Sequence, residues 1–425
     1  MATPGDDSSE NPFKGTPFEA LFGGPGGMPD LSQLFGQIQA MMSQSYDGPL
    51  NWDLALDLAR KSAAAGGDPT PSQRQQDAVA DALRLADYWI DGTTTFPSGV
   101  TTTSAWSRAE WLVNTIETWK VLIEPVAASS VNAMPAELGP MAGFLGKAIG
   151  AMVANQAGSG LGALAGEVLS VSDIGVPLAA PGRAALVPTN VHAFAAGLDG
   201  VTEDDVLLYI ALREAAHQRL FAGVPWLRSY VTDTVTSYAK GVEINLGSLQ
   251  EKVEEQLRGI NPTDPASFQQ LMDNPQLFEM ADSPAQQAAL ERLEIVLALV
   301  EGWVDEIVAE ATRERMPAAT PLQEAFRRRR AAGGPAEQTF ATLVGLELRP
   351  RRLRDASTMW GSLRQRQGAE ARDGVWMSPA LLPTAADLDD PLGFREGADT
   401  PAELSADEFD AELRALLDGP GESGE

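Results

Sequence analysis

Apolar positions recur at steps of three and four residues along most of the chain after residue 50, which is the pattern of amphipathic α-helices. Leu54, Leu58 and the neighbouring alanines form the apolar positions of the first predicted helix. Two capping-box sequences then predict the starts of the next two helices: Ser72-x-x-Gln75 and Ser107-x-x-Glu110. The pattern therefore predicts a mainly α fold of many helices.

Strand signals are few, and the two ends of the chain have a different composition. Short extended pieces are expected at 176–178 and 185–188. Residues 1–50 contain eight Gly and six Pro, which predicts a mostly disordered segment. Residues 51–384 are predicted to form the helical domain, and 385–425 an acidic tail. Four leucines of the tail are compatible with a short amphipathic helix: Leu404, Leu413, Leu416 and Leu417.

Small residues dominate between Gly139 and Ser170, and the nineteen residues from Ala148 to Gly166 carry no charge. A membrane span is one interpretation of such a stretch. Polar side chains and a scarcity of large aliphatic residues favour the other interpretation, in which soluble helices pack closely through glycine.

A central helix is predicted over 202–222, with Thr202 and Glu203 at its start. Residues 206, 210, 213, 217 and 220 fall on one face, which carries Val, Ile, Arg, His and Leu. Arg213 and His217 are therefore expected to point inward with apolar side chains. A buried charge is costly unless it is paired, so this helix is the strongest candidate for a functional site.

The spacing of Arg213, Glu214 and His217 is that of the HExxH motif of zinc peptidases. In that motif, two histidines one turn apart bind Zn²⁺ and the glutamate acts as the general base. Arginine stands here at the first histidine position. A protonated guanidinium has no lone pair to give a metal, so Arg213 cannot replace a histidine ligand.

A second long helix is predicted over 284–314, and it begins with a strong capping sequence at Ser283. It is apolar around most of its circumference, with Glu301 and Asp305 one turn apart on a narrow polar stripe. A later Glu-x-x-x-Asp pair supplies the third ligand and its supporting acid in one class of zinc peptidases. The spacing alone favours the simpler alternative, a solvated acidic strip.

Several sequence segments together resemble the actinobacterial zincin-like metallopeptidases of the second type, over roughly residues 130–390. The segments that carry this resemblance are 164–169, 212–221, 224–228, 299–305, 334–340 and 348–354. The resemblance implies a mainly helical zincin-like domain in which Glu214 matches the general base, His217 a zinc ligand and Glu301 the third ligand. Arg213 departs from the family pattern at the first ligand.

Two functional classes follow from this resemblance and from the arginine at the first ligand position. In the first, Arg213 pairs with Glu301 or Asp305 across the two helices, no cofactor is expected, and the protein is a non-catalytic scaffold that binds a protein or peptide. In the second, the protein is an active zinc-dependent hydrolase, with Glu214 as base and His217 and Glu301 as metal ligands. His192, the only other histidine, could approach the site, although a surface position is the commoner outcome.

The chain has a net charge of −28 and no cysteine, which excludes disulfides and thiolate metal sites. The acidic balance disfavours nucleic acid and anionic membranes as partners. The first residues lack the pattern of a signal peptide, so a cytoplasmic location is expected.

Residues 327–372 are the exception to the acidic charge of the chain, because they contain eleven Arg and four acids. A solvated helical face, partly neutralised by the acidic tail, is favoured there over a nucleic-acid surface.

Overall fold

A computed structural model describes residues 48–132, 140–238, 284–331 and 352–395. The predicted disorder of the N-terminal segment falls almost wholly outside the described residues. The four tail leucines, Ser283 and the resemblance segment at 334–340 also lie outside them. The predictions on these segments therefore stay predictions.

The described residues form a mainly α-helical fold with two short strands, as predicted. In chain order the helices and strands are α1 Trp52–Ala64, α2 Gln73–Ile90, β1 Thr102–Ala105, α3 Arg108–Asn132, α4 Pro140–Glu167, β2 Arg183–Leu186, α5 Pro188–Ala196, α6 Glu203–Gly223, α7 (described over 227–238), α8 Pro284–Thr312, α9 Ala319–Ala331, α10 Leu353–Gly374 and α11 Ala385–Asp389. Two short 3-10 turns follow α10, at Val375–Met377 and Pro379–Leu381.

The helix starts follow the capping chemistry of the sequence. Ser72 and Gln75 form a reciprocal capping box at α2. At α3, the Glu110 carboxylate accepts a hydrogen bond from the Ser107 backbone N–H at 2.7 Å. The start of α6 is capped by Thr202 with Glu203 in the first turn, as predicted, and Asp205 adds a reciprocal capping box that was not predicted. Asp205 is the third residue of the helix, so its side chain can reach back to the cap.

The two strands pair in parallel, with Thr102 opposite Arg183 and Ala105 opposite Leu186. Strand β2 overlaps the extended piece predicted at 185–188, whereas residues 176–178 are irregular and β1 was not predicted. A four-residue strand of Thr, Ser and Ala lacks the apolar alternation that marks a strand in sequence. The pair nevertheless brings the chain before α3 against the chain before α5.

Glycines of α4 let this helix pack directly on α1. A Cβ atom at Gly158 would lie 2.6 Å from the Ala55 carbonyl oxygen, and one at Gly162 would lie 2.8 Å from that of Ala59. The fully buried residues of α1 are its alanines Ala55, Ala59 and Ala63, and Leu54 packs partly buried against the core, so α1 is the amphipathic helix of leucines and alanines that the sequence predicts. Close helix packing through glycine, the favoured interpretation of the small-residue stretch, is confirmed. Over the described ranges, no helix combines the length and apolarity needed to cross a membrane.

Helices α6 and α8 form the centre of the core. Every residue of α6 from Tyr209 to Leu220 is buried, and so is every residue of α8 from Val296 to Val308. Gly302 permits the close approach of α10, because a Cβ atom there would lie 2.6 Å from the Ala356 side chain. Polar side chains in the middle of α6 and α8 are therefore enclosed, and each must find its partners inside the protein.

Candidate functional site

Four polar side chains of the two central helices meet in the core. Arg213, His217, Glu301 and Asp305 are each at most 5% exposed. The interpretation of the two acids as a solvated strip is therefore wrong. The sequence shows the narrowness of the polar stripe on α8, but it does not show that α6 covers that stripe.

Arg213 connects the two helices through its guanidinium group. Its Nη2 atom lies 2.5 Å from Oε2 of Glu301, and its Nη1 atom lies 3.6 Å from Oδ1 of Asp305. The guanidinium carbon also lies 5.2 Å from the centre of the Phe326 ring, within cation–π range. The charge of Arg213 is thus neutralised inside the core, mainly by Glu301.

His217 has an oxygen within hydrogen-bonding distance of each ring nitrogen. Nδ1 lies 2.9 Å from the backbone oxygen of Arg213, and Nε2 lies 3.1 Å from Oε1 of Glu301. The ring is almost fully buried. Both nitrogens therefore face protein oxygens, so neither nitrogen points into solvent.

Glu214, the residue at the general-base position, has partners separate from those of Arg213. Its carboxylate accepts hydrogen bonds from the Ser172 backbone N–H at 3.0 Å and from the Gln218 side-chain amide at 2.8 Å. The Ser172 hydroxyl lies 3.3 Å from the same carboxylate. Burial raises the pKa of Glu214, although His217 and Gln218 oppose the shift. A raised pKa is typical of the general bases of active sites, but the Glu214 carboxyl is fully buried and has no surface exposed to a substrate.

Helix α9 contributes three further guanidinium groups to the carboxylates of the core. Arg327 lies 2.7 Å from Asp305, Arg329 lies 3.1 Å from Asp173, and Arg330 lies 3.1 Å from Oε1 of Glu301. Sequence reasoning missed all three contacts, because it favoured a solvated helical face for this arginine run. That prediction is wrong for these three arginines, whereas Arg328 between them is exposed.

The arginines keep two of the buried carboxylates ionised. Burial by itself would raise the pKa of Glu301, but Arg330, His217 and Arg213 together lower it to about 2. The pKa of Asp173 is also lowered, because Arg329 and Arg330 outweigh the effect of burial. The cluster therefore holds fixed negative charges that are neutralised by fixed positive ones.

Neighbouring groups hold the two acids of α8 in place. Asp305 accepts hydrogen bonds from Gln323 and Ser357, each at 3.1 Å. Gly175 adopts a φ of +74°, and a Cβ atom there would lie 2.9 Å from Oε1 of Glu301. A side chain at 175 would therefore crowd the carboxylate as well as strain the backbone.

His192 does not join this cluster. It lies on α5, its side chain is 71% exposed, and Nδ1 lies 3.1 Å from the carboxylate of Glu203. This surface position is the outcome that the sequence analysis favoured.

A second buried ion-pair network lies near the end of α10 and was not predicted. Arg372 donates to Glu306 at 2.6 Å and to Asp373 at 2.8 Å. Asp373 also accepts from the Trp303 indole at 3.0 Å and from the Thr95 backbone N–H at 2.7 Å. These contacts connect α8, α10 and the segment before β1, so the network supports the face of α8 that is turned away from Arg213.

The donor set of the core does not fit a zinc ion. His217 and Glu301 face each other, but Arg213 and Arg330 contact the same carboxylate and cannot act as ligands. Throughout the part of the chain that the structure describes, no group of three or more His, Cys, Asp or Glu side chains is arranged to hold a metal ion. Zinc usually takes three or four protein ligands, so this arrangement is one or two ligands short.

Comparison with known proteins identifies the family. No curated protein matches the sequence. The fold is similar to a crystal structure from Chloroflexus aurantiacus, provisionally described as a hydrolase with a novel fold. The two proteins share 20% sequence identity and superpose with a TM-score of 0.59. The match covers 83% of this chain and 100% of that one. The family model of the zincin-like metallopeptidases matches residues 50–394. The chain therefore belongs to the zincin-like metallopeptidase family.

Proposed function

We propose that this protein is a non-catalytic zincin-like protein in which Arg213 has replaced the catalytic metal. The observation that carries this proposal is the distance of 2.5 Å between the Arg213 guanidinium and the carboxylate of Glu301. The side chain that would have to bind the metal as the first histidine of the motif is instead a permanent cation, and it contacts Glu301 directly. The proposal includes two further points: the chain belongs to an actinobacterial branch of the family, because its sequence segments resemble that branch, and its HExxH motif is degenerate, because arginine stands at position 213.

The surroundings of Glu214 support the same proposal. The general base of a zinc peptidase must reach the water molecule that attacks the substrate. The carboxylate of Glu214 is instead hydrogen-bonded to the Ser172 backbone and to Gln218, with none of its surface exposed. These contacts give Glu214 a structural part, in which it ties α6 to the segment that follows α4.

The proposed activity is the binding of a protein or peptide without cleavage. Family membership supplies the ligand class, because the family is named for peptidases. The acidic net charge agrees with a protein partner and disfavours nucleic acid. The expected cytoplasmic location remains part of this proposal.

Family membership also supports the alternative of an active zinc-dependent hydrolase. In that case His217 and Glu301 would hold the metal and Glu214 would activate water. The alternative requires Arg213 and Arg330 to leave Glu301, and it requires a further ligand.

The test uses the full-length protein, purified without a metal-binding tag. We expect no stoichiometric zinc by elemental mass spectrometry and no chelator-sensitive hydrolysis of a peptide library, but binding to members of a peptide array that survives a chelator. Glu214→Gln serves as the control and should bind the same peptides. Stoichiometric zinc, together with hydrolysis that a chelator and Glu214→Gln both abolish, would establish the alternative.

A further inference from the structure

The two carboxylate oxygens of Glu301 are contacted by guanidinium groups from two different helices. Arg213 of α6 contacts Oε2 at 2.5 Å, and Arg330 of α9 contacts Oε1 at 3.1 Å. The His217 ring nitrogen Nε2 lies at the same distance, 3.1 Å, from Oε1. Arg330 thus shares an oxygen with the histidine that a metal ion would need.

Helix α9 holds Arg330 at this position through further contacts. Arg330 also donates to the backbone oxygen of Asp173, and its side chain is only 12% exposed. The neighbouring Arg329 contacts Asp173, and Arg327 contacts Asp305. The contacts of Arg327 and Arg329 fix the position of α9, and Arg330 cannot leave Glu301 without also losing its hydrogen bond to the backbone of Asp173.

We infer that Arg330 is a second, independent block to metal binding, so that the site has been closed from two helices and not by the change at position 213 alone. Replacing Arg213 with histidine would supply a third ligand beside His217 and Glu301. It would leave the Arg330 guanidinium on Oε1, where its positive charge repels a divalent cation and its N–H groups compete for the carboxylate. Tight binding of a zinc ion therefore needs both arginines removed.

This inference rests on the proposed function, because it assumes that the natural chain does not hold zinc. It goes further by naming a residue outside the HExxH and Glu-x-x-x-Asp patterns, on a helix that sequence reasoning treated as a solvated face. With both arginines replaced, we expect the site to bind divalent transition-metal ions that accept imidazole and carboxylate ligands.

The experiment compares four full-length proteins: the natural chain, Arg213→His, Arg330→Gln and the double variant with both changes. Zinc affinity is measured by titration against a competing chelator, and the shift of the melting temperature with zinc gives an independent measure. We expect the double variant to bind zinc roughly 10- to 100-fold more tightly than Arg213→His and to melt at a higher temperature with zinc. Neither the natural chain nor Arg330→Gln should respond.

A matched control is available on the same helix. Arg328 lies two residues before Arg330, but its side chain is 74% exposed and pairs with Glu324 at 3.5 Å. Adding Arg328→Gln to Arg213→His removes the same charge from α9 and leaves the contact between Arg330 and Glu301 in place. This control should bind zinc no better than Arg213→His alone.

The possible failures point to different conclusions. If Arg213→His alone binds zinc as tightly as the double variant, the inference that Arg330 blocks metal binding is wrong, and the proposed function stands. If the natural chain binds stoichiometric zinc, the proposed function itself is wrong. If the double variant is unfolded without metal, refolding with zinc but not with magnesium supports the inference, and no refolding with either ion overturns it. A folded double variant that takes up no zinc also overturns it.

Discussion

The guanidinium of Arg213 and the carboxylate of Glu301 lie 2.5 Å apart at the crossing of α6 and α8, and both side chains are more than nine-tenths buried. Asp305 is a second partner at 3.6 Å. A buried ion pair gains little over a well-packed apolar pair, but removal of one partner leaves an uncompensated charge in the core. The pair is therefore expected to be sensitive to any change of a single member.

Arg213→Ala is expected to destabilise the fold by up to about 3 kcal/mol, because Glu301 and Asp305 lose a buried cation and keep only Arg330 and Arg327 as guanidinium partners. Urea unfolding followed by circular dichroism measures the loss. Arg328→Ala is the control on a surface arginine, and its effect should stay within about 0.5 kcal/mol. An unchanged unfolding midpoint for Arg213→Ala would show that the pair does not hold α6 to α8.

Acid is expected to weaken the fold through Glu301. Its pKa is about 2 in the folded protein and 4.5 as the reference value, so the folded state favours the ionised form. The resulting stability is fully present above about pH 4.5, and it is lost as the pH falls from there towards 2. The loss is on the order of 3 kcal/mol.

Comparison with Glu301→Gln isolates this contribution, because glutamine does not titrate. The variant should be less stable at neutral pH, since Arg213 loses its charged partner, but its stability should fall less steeply with acid between pH 4.5 and 2. Equal slopes for the two proteins would assign the acid sensitivity to other groups, such as Asp173.

Glu214→Gln is expected to stabilise the fold at neutral pH. Burial raises the pKa of Glu214, so its ionisation opposes folding above about pH 4.5, the reference value. Glutamine keeps an oxygen to accept from the Ser172 N–H and carries no buried charge, and the Gln218 amide can rotate so that its oxygen accepts from the new NH2 group. Melting temperatures measured from pH 4 to 8 should show a gain that grows with pH, and a variant that is less stable at every pH would contradict this account.

Two glycines of α4 provide a matched pair for the packing of α1. A Cβ atom at Gly162 would lie 2.6 Å from the Ser62 side chain, whereas one at Gly166 would have no heavy atom within 4 Å. Gly162→Ala should cost about 1–3 kcal/mol through overpacking. Gly166→Ala should be neutral or stabilise by up to about 1 kcal/mol, since alanine favours the helix. Thermal unfolding of both variants provides the test, and equal effects would contradict the close contact.

Local sequence predicted much of the fold because helix starts depend on neighbouring residues. The capping boxes at Ser72 and Thr202 involve side chains only three residues from the cap. The burial of Arg213 and His217 also followed from local periodicity. The packing partner of the α1 alanines did not, because the glycines of α4 that receive them lie about 100 residues further along the chain.

The arginines of α9 show why the candidate site was only partly predictable. A run of four arginines has the same local pattern whether it faces water or carboxylates. The partners of Arg327 and Arg329 lie 22 and 156 residues away, and no spacing rule connects them. Their assignment requires the tertiary fold.

A cation that is covalently part of the chain differs from a bound ion in how its occupancy responds to the surroundings. A metal site empties when the free ion falls below its dissociation constant, and the fold then loses the linked stability. The Arg213 guanidinium is delivered to Glu301 by folding itself, so its presence there does not change with dilution, chelators or the supply of trace metals. If the proposed function is right, a protein built in this way keeps the same architecture in cells that are starved of zinc and in cells that have plenty.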